Sequence, residues 1–224
     1  MLDLKNALLN QFRKRLTDPV GRGTAKTDTF SGDNSTTDFT LTQYPLMYID
    51  SVTVGSTNNR LLRDYKIDFG TSKIAGKIKF TTAPTTGSDN ITVVYRYGSN
   101  WVYPGSPHTT AEMPRVGIRQ IGGGEKSGGV GDSVVFLNPV FKFGVWVRSG
   151  KSYTISGETY TGDKLVDYIA TDIQNQARNI RDGSDIDGNI TIRVDNLGTD
   201  IPFDKALGLE RREMNVYVMY EKSY

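Results

Sequence analysis

The sequence predicts an α+β protein in which an antiparallel sheet is packed by one or two helices and carries an inserted all-β domain, a small sandwich or barrel. Three observations predict it. An amphipathic helix opens the chain, and a Thr-, Ser-, Gly- and Asn-rich stretch of short period-two strands follows over about 27–97. The remainder then combines long alternating strands with a second amphipathic helix.

In the first helix Leu4, Leu8, Phe12 and Leu16 recur every fourth residue, with Ala7 and Leu9 widening the stripe, until Asp18-Pro19 and the glycines 21 and 23 stop it. Five strands are then legible: Phe39 and Leu41; Tyr48 through Val54; Tyr65, Ile67 and Phe69; Ile74 through Phe80; and Ile91, Val93, Tyr95 and Tyr97. Five strands in so short a stretch suit a small sandwich or barrel. From Trp101 to Pro114 three prolines and no period mark a connector.

Val116, Ile118 and Ile121 form a short strand, a glycine-rich loop follows, and Ser133 to Ser149 is a long strand broken or bulged at Pro139, with Lys151 to Ser156 able to pair back onto it. Thr161, Gly162 and Asp163 supply N-cap chemistry to a helix that places Leu165, Ile169, Ile173, Ala177 and Ile180 on one face. Asp182 to Gly188 reads as a turn, Ile190 to Val194 as a strand, and Met214, Val216, Val218 and Tyr220 as the alternating face of a last strand. The first helix cannot bury its stripe alone, and the all-β stretch needs no helix to close. The helix is therefore assigned to the α+β domain, residues 1–22 plus 101–224, with residues 23–100 inserted.

Composition narrows the function classes. Lys plus Arg (27) nearly balance Asp plus Glu (25), so the net charge of +2 carries no large basic field of the kind a dedicated nucleic-acid binder needs. The absence of cysteine excludes disulfides, thiolate metal sites and a Cys nucleophile. No basic-then-apolar leader opens the chain and no eighteen apolar residues run together, which predicts a protein neither secreted by a signal peptide nor spanning a membrane.

Candidate chemistry is sparse. Gly122-Gly123-Gly124-Glu125-Lys126-Ser127-Gly128-Gly129 invites comparison with a phosphate-binding loop, but Glu125 stands where the motif needs glycine before the lysine. What remains is a glycine hairpin whose ordering cost a binding event would offset, a candidate docking loop. Its deletion over 123–128 is expected to spare folding. His108, the one histidine, sits in the connector and reads as solvated. Asp182, Asp185 and Asp187 lack the spacing of a calcium loop. Arg13, Lys14 and Arg15 read as a solvated basic end of the first helix, favoured by its dipole. Tyr44, Tyr48, Tyr65, Tyr95 and Tyr97 of the insert read mainly as packing residues, an exposed subset being able to stack on sugars or a protein. No catalytic, cofactor or metal residues stand out.

The segments Thr37 to Thr42, Tyr48 to Val54, Asp64 to Asp68 and Ile78 to Pro84 resemble a β module that recurs in phage tail and structural proteins. The remainder, with its first helix, Pro114-Arg115-Val116-Gly117-Ile118, the strand from Val140 to Val147, the Gly162-Asp163 helix and the terminal strand, is similar in layout to tail-terminator proteins of long-tailed phages and archaeal tailed viruses. The resemblance implies a non-enzymatic virion protein of the tail or neck, assembled in the host cytoplasm, whose six copies form a ring. That ring would cap the tail tube, join the head-tail connector or stopper, and let genome DNA pass without specific binding; no cofactor and no membrane are implied. Neighbouring readings are another stopper or tube subunit and a receptor- or carbohydrate-binding tail protein. A carboxylate-dependent cell-wall hydrolase is a third, for which no pair of carboxylates can be named.

Overall fold

The structure, a computed structural model, describes residues 2–108, 110–127, 134–180, 186–194, 199–204 and 208–223. The protein is a mixed α+β chain, mostly strand, with two helices among the described residues. It divides into two compact units. The first takes the chain up to Lys14, then Arg22–Asn100, and finally Ile186 with Asp187; the second takes Arg15–Gly21 and the rest of the chain from Trp101.

Unit one contains helix α1 (Leu2–Arg15) and strands β1 (Thr24–Gly32), β2 (Asp38–Thr40), β3 (Leu46–Val54), β4 (Thr57–Asn58), β5 (Tyr65–Asp68), β6 (Lys77–Phe80) and β7 (Gly87–Tyr97). They form two sheets, ordered β1-β7-β3-β4 and β2-β6-β5. Aromatic rings bridge them where Phe30 of β1 meets Phe39 of β2 at 5.4 Å between centroids, and within the smaller sheet Phe39 meets Phe80 edge-on at 5.7 Å. Such pairs add about 0.5–1.5 kcal/mol beyond the area they bury. The strands expected from the sequence are present, the one read as Ile74 through Phe80 only over Lys77–Phe80, with Ile74 exposed in the bend before it. The nine-residue β1 was not legible, because its inward position is filled by a carboxylate, Asp28, rather than by an apolar side chain.

Helix α1 packs on this β-rich unit, which corrects its assignment to the α+β domain. Its stripe of Leu4, Leu8 and Phe12 is buried, and its polar residues explain why it belongs here. The β3–β7 ladder slips between Ile49 and Ser51. Asn10 pairs with the backbone of Ile49, donating from Nδ2 to its carbonyl (3.0 Å) and accepting its N–H at Oδ1 (2.7 Å). Asn6 donates to the Ile67 carbonyl at 3.0 Å. Arg13 and Lys14 donate to the Met47 and Asp50 carbonyls at 3.0 and 2.8 Å. The basic end of the helix is thus structural rather than a solvated face: Arg13 is buried, with its guanidinium over the Phe69 ring.

A fragment of residues 23–100 is therefore expected to stay unfolded, whereas 1–100 folds. Burying Leu4, Leu8 and Phe12 contributes about 1.5–3 kcal/mol each, together comparable with the whole ~5–15 kcal/mol stability of a domain. Circular dichroism with amide exchange on both fragments checks this, and protected amides in 23–100 alone would refute it.

Unit two contains β8 (Val102–Pro104), β9 (Arg115–Gly122), β10 (Glu125–Ser127), β11 (Val134–Leu137), β12 (Val140–Arg148), β13 (Ser152–Ile155), β14 (Glu158–Thr161), α2 (Gly162–Ile180), β15 (Asn189–Val194), β16 (Thr199–Asp204) and β17 (Leu209–Ser223). The long β17 lies antiparallel to β11 and β12 on one side and to β15 and β16 on the other. Next to β12 runs β9, with β8 parallel at its outer edge, and next to β11 runs β10. The expected break at Pro139 separates β11 from β12. The segment after Lys151 does not pair back onto β12; β13 forms its own hairpin with β14. The connector contributes β8, and its Trp101 is buried, which the lack of period concealed.

Helix α2 covers one face of this sheet with the expected side chains Leu165, Ile169, Ile173, Ala177 and Ile180, all buried. Opposite them, strict alternation sends Phe141, Phe143, Val145 and Val147 of β12 and Met214, Val216, Val218 and Tyr220 of β17 inward.

Candidate docking surface

Alternation that buries one face of the unit-two sheet fixes what the other face carries. Across the strands, Arg119, Lys142 and Asn215 stand in one row, Gly117, Gly144 and Glu213 in the next, and Arg115, Trp146 and Arg211 in the third. Beyond them Tyr217 lies opposite Arg193, and Met219 opposite Thr191. Tyr217, Met219 and Ile121 are 38%, 52% and 44% exposed. Large exposed apolar side chains set among arginines have the composition of the centre of a protein–protein interface.

The polar half of this face is tightly built. The indole of Trp146 lies over Gly144, where a methyl group would overlap the ring, and against Gly117. Arg211 and Arg115 approach the same ring with their guanidinium carbons 5.1 and 6.0 Å from its centroid. Arg115 also donates to the carbonyls of His108 (2.6 Å) and Ala111 (3.0 Å), fixing the connector beside the sheet. Glu213 accepts from Lys142 at 3.0 Å and from Arg211. Burial raises the Glu213 pKa, yet the Lys142 hydrogen bond and the Arg211 charge together hold it below the usual 4.5.

The sign follows. A carboxyl with a depressed pKa contributes stability that is complete above its unfolded value and is lost as pH falls through its folded one. Glu213→Gln is accordingly expected to flatten the loss of unit-two stability below about pH 4.5 while lowering stability at pH 7. Both tryptophans belong to unit two, so denaturation followed by tryptophan fluorescence at several pH values checks it.

The candidate docking loop takes a different form from the one expected. Gly122 ends β9, and Glu125, Lys126 and Ser127 are strand β10, paired with Leu137, Phe136 and Val135. Gly123, at φ +87°, and Gly124 form a kink opposite Asn138-Pro139, where the Asn138 N–H donates to the Gly124 carbonyl at 3.0 Å. Gly128 and Gly129 lie outside the described residues. The stretch 122–127 is thus a kinked sheet strand, and deleting 123–128 removes a paired element instead of sparing the fold.

The remaining candidates resolve in physical terms. His108 is exposed, with Nδ1 2.8 Å from the Thr110 hydroxyl. Asp182 and Asp185 lie outside the described residues, while Asp187 pairs with Arg60 at 3.6 Å. Among the insert tyrosines, Tyr65 and Tyr95 are buried and Tyr44 is 52% exposed. Unit one also holds a polar cleft of about 350 Å³ lined by residues such as Lys14, Asp50, Asn58, Asn59 and Arg60, which sequence reading missed. No helix of the described residues is long and apolar enough to cross a membrane. No family model, curated protein or solved structure matches the chain.

Proposed function

We propose that the chain is a structural assembly subunit of a virion tail or neck. Its copies form a ring, six in number by the resemblance above, that ends the tail tube and joins it to the connector or stopper. The observation that carries this reading is the unit-two sheet, closed by α2 on one face and, on the part of the other that the connector leaves uncovered, exposing Tyr217, Met219 and Ile121 near arginines. A helix on one side of an antiparallel sheet agrees with the layout of tail terminators. In the same reading residues 22–100 of the β-rich unit are an insertion between Arg15–Gly21 and Trp101 of the α+β unit, carried on the outside of the ring so that the lumen stays open to DNA. Such a subunit works by shape and charge repeated around a ring, without an active site or cofactor.

Electron microscopy of tail tubes polymerised with and without the purified protein tests this. Rings at tube ends and a shortened length distribution are expected; tubes of unchanged length with bare ends would sink the reading. The polar cleft of unit one favours a second reading, a tail-associated protein that binds carbohydrate through this unit. Glycan-array binding by residues 1–100 would support it.

A further inference from the structure

The open sheet face and the patch formed by β14 with the first turns of α2 carry charge of opposite sign. On the open sheet face Arg119, Lys142, Arg193 and Arg211 outnumber Glu213 and Glu221. In the patch, the β14 strand and the first turns of α2 present Glu158, Asp163 and Asp167 against Lys164. Asp163 and Asp167 are one helical turn apart and both exposed, Asp167 keeping its partner Arg212. Beside Glu158 lies an apolar element, the partly exposed rings of Tyr160, whose hydroxyl donates to Glu158 at 2.7 Å, and Tyr168, 4.8 Å apart.

We infer that the open sheet face of one copy docks on the Tyr160–Tyr168 and Asp163 face of the next copy, so that each subunit uses two different surfaces. Tyr217 and Met219 would meet the tyrosine pair while Arg119 and Arg193 meet the acids. Complementary charge sets the orientation, and the apolar centre supplies the affinity. A two-fold contact of sheet face on sheet face would instead set arginine against arginine. Head-to-tail use of two unlike faces yields a closed ring when the rotation between copies closes, and an open filament when it does not. The inference rests on the ring reading above and adds the surfaces that build the ring.

The chain has no cysteine, so thiols introduced singly report one contact. Met219→Cys and Tyr168→Cys proteins, each alone and mixed, are treated with a short bismaleimide in the presence and absence of tail tubes, and tube ends are imaged in the same samples. The mixture is expected to cross-link between copies at least about tenfold faster than either protein alone, as the raised local concentration within a ring requires. Arg119→Glu and Asp163→Lys, both at exposed positions, should each abolish that advantage between the cysteine-bearing proteins. Reversing both charges should restore it, as coupling across one contact demands. Preferential cross-linking of Met219→Cys to itself overturns the proposal in favour of a two-fold interface. Rings on tubes without the mixed cross-link overturn the proposed surfaces and leave the ring reading standing, whereas bare tube ends without any cross-link overturn both.

Discussion

Asp28→Ala is expected to destabilise unit one by about 3–5 kcal/mol, because a buried carboxylate with three hydrogen bonds leaves each of its donors stranded when it is removed. Asp28 is only 6% exposed, on an otherwise polar strand. Its Oδ2 accepts from the Tyr95 hydroxyl at 2.9 Å and the Thr42 N–H at 2.8 Å, and its Oδ1 accepts from the Thr42 hydroxyl at 2.8 Å. The Tyr95 hydroxyl lies 3.2 Å from the Gln43 N–H as well. The group therefore ties β1, β7 and the segment between β2 and β3 together. Burial above all raises the Tyr95 pKa, so the phenol stays protonated and remains the donor. Tyr95→Phe is expected to cost less, about 1–2 kcal/mol, and the double substitution less than the sum, since the two share one bond. Hydrogen exchange of unit-one peptides in the intact chain measures all three. Additive losses would show that Asp28 and Tyr95 act independently.

Gly123→Ala is expected to cost unit two about 2–4 kcal/mol, combining a left-handed backbone that an L side chain disfavours with a methyl group driven into the Asn138 carbonyl. Gly124 provides the control. A methyl group there meets nothing within 4 Å, so Gly124→Ala should stay within about 0.5 kcal/mol of the parent. Tryptophan fluorescence in urea separates the two. Equal, small effects would mean that the 122–127 segment is the loose loop its sequence suggests rather than a kinked strand.

What was legible in the sequence was whatever an apolar period recorded. Helix α2 was readable because Leu165 through Ile180 repeat on one face, and β7, β12 and β17 because their apolar residues alternate. Strand β1 was hidden by a buried Asp28, and β10 by glycines that sequence reading takes for freedom when here they permit a close approach to Asn138. The partner of α1 was misassigned because periodicity says that a stripe must be buried, not against what. The deciding signals were Asn10 and Arg13, whose hydrogen bonds cross more than thirty residues of sequence. The open sheet face followed from the same alternation that gave the core, yet its rows combine residues from four strands whose register no single sequence prints.

The measurement that bears most directly on the account is a three-dimensional reconstruction, by cryo-electron microscopy, of tail-tube ends grown with the full chain. The expected result is one closed ring per end, in which the open face bearing Tyr217 and Met219 on each copy is covered by its neighbour. Copies bound singly along the tube wall, or a ring in which that face is left exposed, would contradict it.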